Sequence, residues 1–90
     1  MNMIRIAADT QLATTTYFIK AIYLDHSEAT SAIFYNEADS SKTEGADLFT
    51  IHNSASELTK CVVFPGIRGV RFPVGCYIDY TAGTLYIIPG

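Results

Sequence analysis

The sequence predicts an all-β chain: an antiparallel β-sandwich or jelly-roll-like domain with little or no helix. Three observations carry this. Ile, Val, Thr, Tyr and Phe together make up more than a third of the residues, a composition that suits pleated, half-buried strands. Apolar and polar residues alternate in several short windows rather than recurring at helical spacing. These windows follow one another at intervals of about ten residues with turn-forming residues between them, giving about eight short strands and no helical crossover. At 90 residues, the chain is expected to form one domain spanning 1–90.

Taken in order, the first window runs from Met3 to Ala8. A helix over Gln11–Thr16 is disfavoured, because three consecutive threonines carry stiff χ1 angles and low helical propensity. The next windows span Thr15–Asp25, Ala32–Glu37 and Asp47–His52. From Leu58 to Phe64, Leu58, Val62 and Phe64 share one face around Lys60, while Thr59, Cys61 and Val63 share the other. Val70–Val74, Cys76–Thr81 and Thr84–Ile88 complete the set. Between them lie Ser27–Ser31, Asn53–Ser56, Pro65–Gly66 and Thr81–Gly83, each supplying Gly, Pro, Asn or Ser for a turn. Ala38–Gly45 is the longest polar stretch, has no periodicity and reads as an exposed loop.

Composition narrows the function classes. Nine carboxylates against six Lys and Arg, net charge −3 and no cluster of cations, argue against a phosphate-binding surface and so against nucleic acid as partner. No apolar run approaches the roughly 20 residues that cross a bilayer as a helix, and the expectation is no membrane partner. Met1–Asp9 lacks the apolar core of about 7 to 15 residues that marks a signal peptide. Cys61 and Cys76 both sit in strand-like apolar patterns and read as reduced, buried thiols.

No motif carries a chemistry. His26 and His52 are too few and too far apart for a metal centre, and both are expected at edges or facing solvent. No Gly-x-Ser-x-Gly nucleophile motif is present, and Gly66-Ile67-Arg68-Gly69 lacks the Lys-Ser/Thr and helix of a phosphate loop, so it reads as a turn. Asp25, Glu28, Glu37, Asp47 and Asp79 read as capping or solvated carboxylates rather than a glycosidase pair. The expectation is a non-enzyme with no cofactor and no metal.

Interaction features are more informative. Tyr17–Leu24 is apolar on both faces: strict alternation places Tyr17, Ile19, Ala21 and Tyr23 on one and Phe18, Ile22 and Leu24 on the other. One face fills the core, and the second needs cover from a loop of the chain or from another subunit. The expected protein interface is therefore Tyr17, Ile19 and Tyr23, with Arg68 and Arg71 at its polar rim, where an Arg pair beside a glycine turn can dock carboxylates. Lys20 is expected to extend its amine to the strand edge. Tyr77, Tyr80 and Tyr86 raise the alternative of a stacking platform for sugars.

The C-terminal stretch Gly69-Val70-Arg71-Phe72-Pro73-Val74-Gly75-Cys76-Tyr77-Ile78-Asp79-Tyr80-Thr81-Ala82-Gly83-Thr84-Leu85-Tyr86-Ile87-Ile88 resembles the ending of small β-sandwich virion proteins of tailed bacteriophages. Its points of likeness are the aromatic at Phe72, the Gly-apolar-Tyr-apolar-Asp run of Gly75–Asp79, and the Gly83-Thr84 turn into a last alternating strand; Cys76 departs from the larger aliphatic residue usual there. The resemblance implies a structural role without catalytic residues: a capsid decoration or cement protein made in the host cytoplasm and residing in the virion. Its partners would be other virion proteins, the major capsid protein foremost, with assembly as a homo-oligomer such as a trimer. The alternative is a receptor- or glycan-binding module of a tail or fibre assembly.

Overall fold

The computed structural model describes residues 3–24, 29–53 and 61–90, which form nine strands and no helix. In chain order these are β1 (Ile4–Ile6), β2 (Thr10–Ala13), β3 (Tyr17–Leu24), β4 (Thr30–Tyr35), β5 (Asp47–Asn53), β6 (Cys61–Val63), β7 (Val70–Phe72), β8 (Cys76–Ala82) and β9 (Leu85–Pro89). They make two antiparallel sheets. The front sheet has the order β1-β9-β3-β6, with β7 also paired to β3, and the back sheet has the order β2-β8-β4-β5. The predicted β-sandwich is the fold observed.

Eight of the nine strands overlap predicted windows, with β5, β8 and β9 each running one residue past theirs. β2 was not predicted, because its four residues carry one large apolar side chain, Leu12 against the core, which is too little to show an alternation; it pairs with β8. The two amide N–H groups of Gln11 are shared among the carbonyls of Ala13, Glu37 and Cys76 at 2.8, 2.9 and 3.1 Å, which pins this edge strand to its neighbours. Thr30 and Ser31 belong to β4 rather than to the turn before it, and β4 stops at Tyr35. The turn at Gly83 (φ +83°) does not close a hairpin: β8 lies in the back sheet and β9 in the front sheet, so the chain crosses the sandwich there. β1 pairs β9 with Ile4 opposite Ile87 and Ile6 opposite Leu85. Asn53 ends β5, and the turn residues Ser54–Ser56, Leu58–Lys60 and Asp25–Glu28 lie outside the described residues.

Both sheets contribute to one core. Ile6, Ile19, Ile22, Leu85 and Ile87 of the front sheet meet Ala32, Phe34 and Ile78 of the back sheet, all essentially inaccessible to solvent. An aromatic group joins the layers: Phe34 stacks on Phe49 at 4.7 Å between centroids, Phe49 meets Phe64 at 5.1 Å, and Phe49 and Phe72 meet edge to face with centroids 5.9 Å apart. Such contacts add to the stabilisation from area burial alone.

Both cysteines are free thiols, but they occupy different environments. Cys76 is in the core as expected. Cys61 is only half-buried, because its register opposite Tyr23 turns it to the outside of the front sheet. Burial pushes the Cys76 thiol from its ordinary 9.0 up to about 12, so it stays protonated in the folded state while the unfolded chain ionises above about pH 9. Tyr17 and Tyr77 are also raised, chiefly by burial. A raised folded pKa of an acid leaves stability intact below the unfolded value and removes it as pH climbs towards the folded one. From neutral pH upward, urea unfolding is therefore expected to give little change in stability up to about pH 9 and a decline from there towards pH 12. Cys76→Ala should make that decline shallower, and an unchanged slope would contradict the assignment.

Candidate functional site

The site begins with an irregularity in β3. Its pairing with β9 places Ile19 opposite Pro89 but Ala21 opposite Ile88, so the register shifts across Lys20. The shift reverses the alternation. Ile19, Ile22 and Leu24 all enter the core with Tyr17 packed against it, while Phe18, Ala21 and Tyr23 lie on the outer face. Ile19, expected at an interface, is 0% exposed and touches no surface; the predicted grouping of Tyr17, Ile19, Ala21 and Tyr23 is corrected accordingly. Tyr23 is 40% exposed on the outer face, as an interface residue requires, and Arg71 is exposed opposite Phe18.

The same position organises the loop beyond it. β6 pairs Ala21–Tyr23 and β7 pairs Tyr17–Ile19, both on the edge of β3 away from β9, and Lys20 faces the gap between them. Its carbonyl accepts the N–H of Phe64 at 2.9 Å, and its amine donates to the carbonyls of Phe64, at 2.9 Å, and Gly66. Gly69 returns the chain at φ +82°, where a Cβ would lie 2.1 Å from the Ile19 carbonyl oxygen. Glycine is required on both counts. Arg68 lays its guanidinium over the Phe18 ring, 3.9 Å from the centroid. What remains at the tip is Ile67, 98% exposed on a loop fixed from both sides. The sequence reading of this segment as a turn was correct but missed the feature it presents; the signal was a large aliphatic residue between two turn glycines.

The outer face can be followed in rows across the front sheet. Arg5, Tyr86, Tyr23 and Cys61 form one, and Ile88, Ala21 and Val63 the next. Val63 is 65% exposed, whereas Ala21 and Ile88 are nearly covered by their neighbours. Beside Arg68, a shallow cleft of about 380 Å³ is lined by Thr16, Tyr17, Phe18 and Pro89. Tyr17 thus borders the surface without standing on it.

The back sheet is different because the chain covers part of it. In the connection between β4 and β5, the buried Glu37 carboxylate accepts the N–H groups of Lys42 and Thr43, and the Asn36 N–H bonds the Ala46 carbonyl. Lys42 then reaches Asp79 on β8 at 3.2 Å. The pair holds the Lys42 amine above its ordinary value, first through the hydrogen bond and then through the charge of Asp79. Tyr77, packed beside Tyr35, is buried. Ala38–Gly45 is exposed as predicted, yet Glu37 ties it down.

The remaining sequence expectations fall as follows. Tyr77, Tyr80 and Tyr86 do not form one platform: Tyr77 is on the back sheet, Tyr80 packs on the core with its hydroxyl donating to Gly83 O at 2.8 Å, and Tyr86 is half-buried on the front sheet. His52 is exposed on β5. Among the described residues no group of three His, Cys, Asp or Glu is placed to hold a metal.

Comparison with protein-family models, with curated proteins and with solved structures gave no match. The class the fold itself defines is a small antiparallel β-sandwich.

Lys20→Met retains the side-chain length and removes the two carbonyl contacts. It should lower stability by about 1–3 kcal/mol and accelerate amide hydrogen exchange at Gly66–Gly69 more than in β8 or β9. Unaltered exchange in the loop would show that Lys20 does not hold it.

Proposed function

We propose that this chain is a non-enzymatic structural protein of a tailed-bacteriophage virion, a capsid decoration or cement protein that docks on coat subunits and assembles as a homo-oligomer. The observation that carries the reading is a set of exposed apolar residues at the β6 side of the front sheet, Tyr23 and Val63 on its outer face and Ile67 on the loop beyond, with Arg68 next to Ile67 and Arg71 exposed opposite Phe18. Exposed aliphatic and aromatic side chains rimmed by arginine are the usual make-up of a protein interface. The resemblance of Gly69–Ile88 to phage virion proteins supplies the setting. Ile67, standing off the sheet on a fixed loop, is the element suited to enter a recess on a coat subunit, and the flat face beside it is suited to a neighbouring subunit. The dispersal of Tyr77, Tyr80 and Tyr86 leaves the glycan-binding alternative without a stacking platform.

Ile67→Asp and Tyr23→Ala alter exposed positions and should leave the urea midpoint close to that of the native chain. Each is expected to reduce incorporation into particles of the encoding phage by about tenfold or more, as truncation of an interface anchor does. Normal incorporation of both folded variants would overturn this interface.

A further inference from the structure

Charge is divided between the two sides of the sandwich. Among the described residues, the front sheet and its β6–β7 loop carry Arg5, Lys20, Arg68 and Arg71 and no Asp or Glu. The back sheet and its connections carry Asp9, Glu37, Asp39, Glu44, Asp47 and Asp79, against Lys42 alone. Asp9 belongs to this side because its carboxylate accepts the Tyr80 N–H of β8 at 2.8 Å. Glu37 and Asp79 are engaged within the chain, but Glu44 and Asp47 are exposed and form no ion pair among the described residues. Arg5, Arg68 and Arg71 likewise have no carboxylate partner among the described residues.

We propose that the outer face of the front sheet packs against the back-sheet side of a second copy of this chain, so that copies join head to tail. This rests on the reading of that face as an assembly surface and specifies what covers it. Two front faces meeting about a two-fold axis would set Arg5, Arg68 and Arg71 against a second set of the same cations, which opposes association. A head-to-tail contact instead brings them to Glu44 and Asp47. Apolar surface also matches: Tyr23 and Val63 on one side meet Leu48, 44% exposed on β5, on the other. With extents of 34 × 28 × 20 Å, the molecule has broad sides large enough for the roughly 800 Å² per partner of a stable interface. Such a contact is heterologous and closes into a ring when the rotation between copies allows it.

Sedimentation velocity of the purified full-length chain tests this. Association is expected at about 0.01 M salt, where charges act over about 30 Å, and should weaken at least about tenfold at about 1 M, where they act over about 3 Å. Arg68→Glu with Arg71→Glu, and separately Glu44→Lys with Asp47→Lys, should each give monomers. A one-to-one mixture of the two double variants should associate again, since each then offers the side the other lacks. The two double reversals move net charge in opposite directions, so loss in both cannot come from net repulsion. Retained association of the Glu44/Asp47 variant would indicate a front-to-front contact and overturn the proposal. A native chain that stays monomeric at low salt would overturn it too, while leaving coat docking to be decided by incorporation of Ile67→Asp. Head-to-tail association by a chain absent from particles would support the contact and sink only the virion reading.

Discussion

The register shift across Lys20 in β3 is the constraint on which the rest of the arrangement depends. An eight-residue strand with strict alternation would send Ile19 and Tyr23 to the same side. The shift lets Ile19 and Ile22 both enter the core, which fills the layer between the sheets, and leaves Ala21 and Tyr23 outside. It also divides the far edge of β3 between two short strands. The backbone and amine of Lys20 meet the carbonyl and N–H groups that this division would leave unpaired. An unpaired buried peptide group costs free energy on the scale of a lost hydrogen bond. One residue therefore closes the sheet edge and fixes the loop that presents Ile67.

The two sides of the sandwich solve the problem of a sheet's second face differently. On the back sheet, the chain folds its own β4–β5 connection over β8, using the buried Glu37 carboxylate as an acceptor for two backbone N–H groups. The exposed Lys42–Asp79 pair adds direction more than energy, as pairs of this kind do in water. On the front sheet, Ala21 and Ile88 are nearly inaccessible while Tyr23 and Val63 stand exposed, and the charged side chains of that face among the described residues are cations. Among the described residues, the acidic and basic sides are thus the back and the front of the sandwich.

The sequence revealed the fold more readily than the site. Period-two patterns placed the strands from Tyr17–Leu24 to Leu85–Pro89 because each has a core face and an outer face, and the buried set Phe34, Phe72, Ile78 and Ile87 follows from them. β2 was not legible, since a four-residue strand with Leu12 as its one large core contact shows no period, and the Gln11 side-chain bonds that reinforce its pairing with β8 leave none either. The Lys20 shift was not legible because a polar residue at that position also fits unbroken alternation. Of the expected interface residues, Tyr23, Arg68 and Arg71 lie on the surface and Ile19 does not, as the shift dictates. Charge segregation emerges only from topology: Arg5 and Arg71 are far apart in sequence yet share a sheet, and Gly83 separates Asp79 from Tyr86 by sending them to opposite layers.

The central proposal is that the exposed apolar residues of the front sheet and its β6–β7 loop form an assembly surface of a virion structural protein. Quantitative peptide mass spectrometry of purified particles of the encoding phage, giving copies of this chain per copy of the major coat protein, tests it most directly. The account predicts a ratio near one or a simple fraction of it, as expected for a protein on the capsid lattice. About a dozen copies per particle would move the chain from the capsid lattice to the neck or tail. Its absence from the particle would contradict the claim.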